Sequence, residues 1–450
     1  MTIFFIACLI LAETALIVLT FAKDREKAKW MKNRAAFRTA EFILLLGIVL
    51  LPVTHMKWRY SGALILLGAL TLIAFLTWTV KCAKATGTAG KARVIASAVL
   101  SVLLILPALV PAFVFTNYNG LKTGGPYGIR ESSAILVDAD MADPFESDES
   151  RREVPVHFYY PDAEGSFPLI VFSHGAFGYY QSNYSTYAEL ASNGYVVAAL
   201  DHPHHAFFSK DTDGRIVIVD SGFLSDAIAV SNGEKNMEEE YALFREWMDL
   251  RSADMNFVLD TFEAAKAENA LDSAWRTDDE SGILRVLSLT DTDRIGVMGH
   301  SMGGATAVSA GRTRDDIDAV IVLDGTMLGE IVSFENGAAA YNEDPYPVPL
   351  LDFGKKSDYS ETAQAQNEYQ FAYVNQYVIG RARDGKRVLF TDAGHMDFTD
   401  LPLFSPFLAS MLGSESIDHE AFTLRLNGLV LRWFDYYLKG KGSPDLQAEY

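Results

Sequence analysis

The most specific arrangement of reactive residues in the chain is Gly299-His300-Ser301-Met302-Gly303-Gly304. It follows the mostly apolar stretch 294–298 and precedes the small-residue stretch 305–310. Glycines two positions either side of a serine, set between a strand and a helix, meet the needs of a one-residue chain reversal. Neither glycine has a Cβ to hold the two elements apart, and the serine hydroxyl is thrust above the end of the sheet. A serine presented this way attacks acyl carbons when a base and an orienting acid reach it. The backbone N–H of Met302 then faces the oxyanion that develops.

The partners of such a serine follow it in the order acid, then histidine. Only His395 and His419 lie beyond Ser301. His419 stands in Asp418-His419-Glu420 at the start of a helical stretch, a capping position, whereas His395 follows the strand 386–391 at the end where Ser301 projects. His395 is therefore the base. Two aspartates compete as acid: Asp324 closes the strand 319–323, and Asp358 follows the strand 348–353 in Gly354-Lys355-Lys356-Ser357-Asp358. Asp352 lies inside its strand and reads as structural. A second oxyanion donor is expected in His174-Gly175-Ala176-Phe177-Gly178, with the Ala176 N–H as the candidate. His202, His204 and His205 have no matching Asp/His spacing elsewhere, so they read as a solvated loop at the pocket rim, with no metal and no cofactor. Arg251 and Asp254, three residues apart on a long helix, are expected to form an ion pair.

Positioning these groups takes a sheet covered on both faces. Short β-branched or aromatic runs at 154–160, 169–173, 195–200, 294–298, 319–323, 348–353 and 386–391 alternate with helical stretches at 182–192, 237–266, 303–311 and 419–438. That rhythm predicts an α/β fold with a mostly parallel sheet, the α/β-hydrolase arrangement, over residues 153–450. Residues 203–236 form a polar insertion with the placement of a lid or a surface loop.

The chain before this domain is made for a different solvent. Of the 450 residues, 49% are hydrophobic and the formal charge is −20. Residues 1–115 hold 13 basic against 4 acidic side chains, and the remainder 25 against 54. An acidic catalytic part excludes a nucleic-acid partner, which needs a basic face. Two cysteines, Cys8 and Cys82, both in apolar stretches, exclude a disulfide framework. Apolar runs at 2–22, 42–56, 61–80 and 94–115 predict a transmembrane region of about four helices over 1–115, followed by a linker and lead-in strand at 116–152. Lys57, Trp58, Arg59 and Tyr60 read as interfacial anchors. Loops 23–41 and 81–93 carry eleven Lys and Arg against two at 57–60, which places them in the cytoplasm and the catalytic domain outside it.

With Gly-His-Ser-Met-Gly-Gly at 299–304, the chain resembles the platelet-activating-factor acetylhydrolase group of α/β-hydrolases. The stretches 171–175, 190–199, 251–260 and 394–402 resemble that group's blocks as well, so the similarity covers about 150–440 and none of the membrane part. The resemblance implies a triad acid in a Leu-Asp segment after the strand that follows the nucleophile. Leu323-Asp324 matches, favouring Asp324 over Asp358. It implies phospholipids with a short or oxidised acyl chain, and other short-chain esters, as substrates. The expected protein is thus a membrane-anchored serine esterase or lipase, with the bilayer and an ester or phospholipid as partners. A polyester or cutinase-like hydrolase or a peptidase would use the same machinery. A non-catalytic membrane sensor or scaffold would use the fold alone.

Overall fold

The structure is a computed structural model, and it describes residues 1–22, 25–148, 150–335, 338–356 and 374–450. The chain divides into two compact units, one of Met1–Gly120 with Pro402–Met411 and one of Leu121–Leu401 with Leu412–Tyr450.

The first unit is helical: α1 (Thr2–Ala22), α2 (Lys27–Leu50), α3 (Ser61–Lys81) and α4 (Lys91–Ala108). Phe5, Leu9, Leu45, Leu67 and Ile105 fill its interior, while Ile3, Ile65 and Val80 project outward at 69–75% exposure. Three stretches, Thr2–Ala22, Lys57–Lys84 and Lys91–Ala108, are long and apolar enough to cross a membrane. The run 42–56 is not a separate helix. Its residues 42–50 are the second half of α2, which starts at Lys27 and winds most of the expected basic loop into helix, and 51–56 lie beyond the helix end. Of the residues read as interfacial anchors, Lys57 and Trp58 are exposed, whereas Arg59 and Tyr60 are buried and Arg59 donates to the Phe115 carbonyl at 2.6 Å. Between the helices lies a polar cluster. Arg38 Nη2 sits 2.6 Å from Glu13 and Nη1 3.5 Å from Glu41, and Nη2 also donates to the Ser97 carbonyl at 3.3 Å. Residues 402–411 join this unit through Thr116 N–H, which donates to the Phe404 carbonyl at 2.7 Å, and Ser405 Oγ, which donates to the Val114 carbonyl at 2.8 Å.

The second unit is built on a nine-stranded sheet. Its strands are β1 (Ile129–Ala142), β2 (Arg151–Pro161), β3 (Phe167–Ser173), β4 (Val196–Leu200), β7 (Trp275–Arg276), β8 (Thr290–His300), β9 (Ile317–Leu323), β12 (Leu350–Lys355) and β13 (Gly385–Phe390). Their spatial order is β13-β12-β9-β8-β3-β4-β2-β1-β7. The six strands from β13 to β4 are parallel, and β2, β1 and β7 add antiparallel pairs at the other edge. Period-two alternation sorts the central side chains: Leu169 and Val171 of β3 face one core, Ile170 and Phe172 the other. Helices α5 (Tyr184–Ser192) and α10 (His419–Lys439) cover one face. Helices α7 (Met237–Glu268), α8 (Glu280–Leu289) and α9 (Met302–Thr313) cover the other. The insertion holds a hairpin of β5 (Phe208–Lys210) and β6 (Ile216–Ile218), then α6 (Ser221–Ser231). A second hairpin, β10 (Ile331–Glu335) with β11 (Ala338–Tyr341), follows β9. The long parallel crossovers bring the C-terminal ends of β3, β8, β9, β12 and β13 to one rim, where Ser173, His300, Leu323 and Phe390 lie.

Candidate active site

Ser301 caps the N-terminus of α9 with φ 53° and ψ −124°, a backbone state that side chains other than glycine rarely adopt. The flanking glycines make it attainable. A Cβ on Gly299 would lie 2.2 Å from the Gly303 carbonyl carbon, and one on Gly303 would lie 2.0 Å from the Ser173 carbonyl oxygen. The Ser301 N–H is tied to the Leu323 carbonyl at 2.8 Å. As the first residue of α9, Met302 has a backbone N–H with no acceptor inside the helix.

Asp324 and His395 meet at this rim. Asp324 Oδ2 lies 2.6 Å from His395 Nδ1. Asp324 also has a left-handed backbone, φ 47°, fixed by its N–H to the Phe353 carbonyl at 2.8 Å. Burial favours the neutral acid, but the His395 hydrogen bond and nearby Lys355 outweigh it and hold the Asp324 carboxyl below its usual value. The ring of His300, next to the serine, lies tilted against the His395 ring with centroids 4.5 Å apart, and its Nε2–H donates to the His395 carbonyl at 3.1 Å. Burial, reinforced by the adjacent His395, pulls His300 down to about 3, so it is neutral. His300 is a supporting residue that the sequence motif carries without marking. His419 lies 3.1 Å from Asp397, whose carboxylate accepts from the Gly394 N–H at 2.7 Å and so braces the His395 loop. Asp352 is bound by Arg387 at 2.7 Å within the sheet. Asp358 lies outside the described residues.

The loop after β3 packs directly on the serine. A Cβ on Gly175 would stand 3.2 Å from Ser301 Cβ and 2.8 Å from His300 Nδ1. The Ala176 N–H donates to no group among the described residues.

Two expectations about the histidine-rich stretch are overturned. It is not a solvated rim: His202 is 0% and His205 2% exposed. His202 bridges Ser173 Oγ and Asp254, 2.8 Å from each, so both ring nitrogens are occupied. His205 lies flat on Phe223 with ring centroids 3.8 Å apart. Nor do Arg251 and Asp254 pair. Asp254 is taken by Arg152 of β2, at 2.9 and 2.8 Å. Burial opposes its charge, but Arg152 and His202 prevail and keep its carboxyl far below the usual range. Arg152, fully buried and also bound to Asp143 at 3.0 Å, sits in an acidic stretch of sequence where nothing singles it out.

Residues 155–423 match the family described as platelet-activating factor acetylhydrolase, isoform II. The chain is 26% identical over 290 residues to a platelet-activating factor acetylhydrolase of Cavia porcellus, covering 64% of this chain and 61% of that one. It is 30% identical over 172 residues to a platelet-activating factor acetylhydrolase of Canis lupus familiaris, 36% of each chain. It is 28% identical over 295 residues to a probable 1-alkyl-2-acetylglycerophosphocholine esterase of Arthroderma benhamiae, 65% of this chain and 61% of that one. The chain thus spans at most about three fifths of the length of these relatives. Among solved structures, a ferulic acid esterase from Streptomyces cinnamoneus aligns over 72% of this chain and 94% of its own, with TM-score 0.50 and 21% identity, a likeness of fold.

Proposed function

The chain belongs to the platelet-activating factor acetylhydrolase isoform II family, and on that premise we propose that it is a serine hydrolase of carboxylic esters, acting on short-acyl or phospholipid esters. The observation that carries the reading is the Ser301 turn standing on one rim with the Asp324–His395 pair. Ser301 Oγ attacks the ester carbonyl as His395 Nε2 takes its proton. Asp324 holds the proton on Nδ1 and stabilises the imidazolium. The N–H groups of Ala176 and Met302 receive the oxyanion. The alcohol leaves with the proton from His395, and water, deprotonated by the same ring, then releases the acid from the acyl-enzyme.

The same proposal gives the first unit a role: its apolar helices anchor the chain in a membrane, with the catalytic unit outside the cytoplasm. The apolar stretches of this unit and the basic residues around loop 82–90 support that orientation. The test is a fluorophosphonate probe on the full chain, together with turnover of phosphatidylcholines bearing 2-acyl chains from acetyl to palmitoyl. Labelling mapped to Ser301 and preference for the shortest chains are expected. A protein that neither labels nor turns over any ester would sink the reading.

A further inference from the structure

Arg251 is buried in the middle of α7 at 0% exposure, and among the described residues it has no carboxylate within ion-pair distance. The nearest acid, Asp254, is held by Arg152 and His202. Burying a cation without a counter-ion is costly unless hydrogen bonds replace its water. Those of Arg251 go to the loop that packs on Ser301. Nη1 donates to the His174 carbonyl at 2.6 Å, Nη2 to the Gly175 carbonyl at 3.4 Å and Nε to His205 Nδ1 at 3.3 Å. The Gly175 carbonyl also accepts from His174 Nδ1–H at 2.6 Å and from the Gly178 N–H at 3.0 Å. His174 in turn is fixed in that tautomer, because its Nε2 accepts the His202 N–H at 3.1 Å.

Three donors thus hold one carbonyl inward. In a trans peptide the C=O and the following N–H point in opposite directions, and the peptide bonds here are all trans. Turning the Gly175 carbonyl inward therefore turns the Ala176 N–H outward, and that N–H has no acceptor among the described residues. Burial, opposed by the more distant charge of Asp254 and helped by Arg152, pulls the guanidinium down to about 9, so Arg251 remains a cation at neutral pH behind the oxyanion site.

We propose that Arg251 is a positioning residue of the reaction: it locks the 174–176 loop so that the Ala176 N–H is aimed at the oxyanion before substrate arrives. The inference rests on Ser301 being the nucleophile. It is tested with Arg251→Met in the full chain, and with Arg251→Lys, which keeps a cation but gathers its donors on one nitrogen. Removing one oxyanion donor lowers turnover about 10²–10³-fold. Arg251→Met should approach that loss in kcat with KM within about twofold. Its affinity for a trifluoromethyl ketone, which the serine converts to an oxyanion adduct, should fall in parallel. Arg251→Lys should recover part of both. A folded variant that keeps kcat within about threefold, or that loses kcat while binding the ketone normally, overturns the inference. A wild-type protein inert to the fluorophosphonate would instead overturn the functional reading beneath it.

Discussion

Asp324 reaches His395 Nδ1 at 2.6 Å from a left-handed backbone of φ 47°. Serine and acid alike, Ser301 at φ 53° and Asp324 at φ 47°, stand in backbone states that cost stability. The surrounding sheet holds both: the Ser301 N–H is taken by Leu323 and the Asp324 N–H by Phe353.

Asp324→Asn should lower kcat about 10³–10⁴-fold, because an amide neither fixes the tautomer nor stabilises the imidazolium. Asp358→Asn should leave activity within about threefold. Steady-state rates on a short-acyl p-nitrophenyl ester, with melts of each variant, decide it. The reverse pattern would move the acid to Asp358.

The protein holds a second Ser–His–Asp array, Ser173–His202–Asp254, with every member under 2% exposed. Ser301→Ala should abolish both turnover and fluorophosphonate labelling, a loss of at least about 10³-fold. Ser173→Ala should keep the label and lower stability by about 1–3 kcal/mol, the price of unpairing a buried polar group. Label retained in Ser301→Ala would place the nucleophile elsewhere. EDTA should change nothing, since both nitrogens of His202 are already bonded.

His395→Ala should be as severe as Ser301→Ala. His419→Ala, which removes the contact with Asp397, should lower the melting temperature with kcat within about fivefold. Equal losses of kcat in the two variants would contradict this.

Stability should peak near pH 6.5. Burial holds His157 and His202 at about 4 and His300 at about 3, below an unfolded histidine near 6.5. The unfolded chain therefore binds more protons between about 4 and 6.5, and stability falls as pH drops through that window. Burial raises Asp201 to about 8 and Asp400 to about 7. Their contribution is full below about 3.9 and is lost as pH rises from there toward 8, so these two groups offset part of the gain from the three histidines up to about 6.5 and prevail above it. Melts from pH 4 to 9 should trace a dome, and a monotonic rise would refute the balance.

For the membrane arrangement, Cys8 and Cys82 are first replaced by serine, leaving a chain without thiols. In intact cells an impermeant maleimide should then label Lys122→Cys and spare Thr86→Cys. Labelling at position 86 alone would invert the orientation.

The sheet was readable in sequence because both its faces are covered, which makes β3 and β4 unbroken apolar runs. The Ser301 turn was readable because its glycines are forced by contacts within one strand–helix reversal. What stayed hidden depends on partners far along the chain. His-Pro-His-His at 202–205 looks like a wet loop until Asp254, 52 residues on, and Arg152 are brought against it. Arg251 and Asp254 have helical ion-pair spacing, yet each is claimed by another element. The first turns of α2 are too basic to suggest a helix continuous with the apolar run after Glu41.

The Glu13–Arg38–Glu41 cluster bears on how the first unit would enter a bilayer. A charge at the centre of a lone helix costs about 2.5–3.5 kcal/mol on insertion scales. Glu13 is on α1, while Arg38 and Glu41 are on α2. Inserted singly, α1 carries Glu13 without a partner, while α2 can pair Arg38 only with its own Glu41, 3.5 Å away. Inserted as a hairpin, they bring the 2.6 Å contact with them. If the unit is a membrane anchor, as proposed, α1 and α2 should therefore enter as a pair. A substitution such as Glu13→Lys would then be felt first as a failure of integration during synthesis, before any effect on the folded protein.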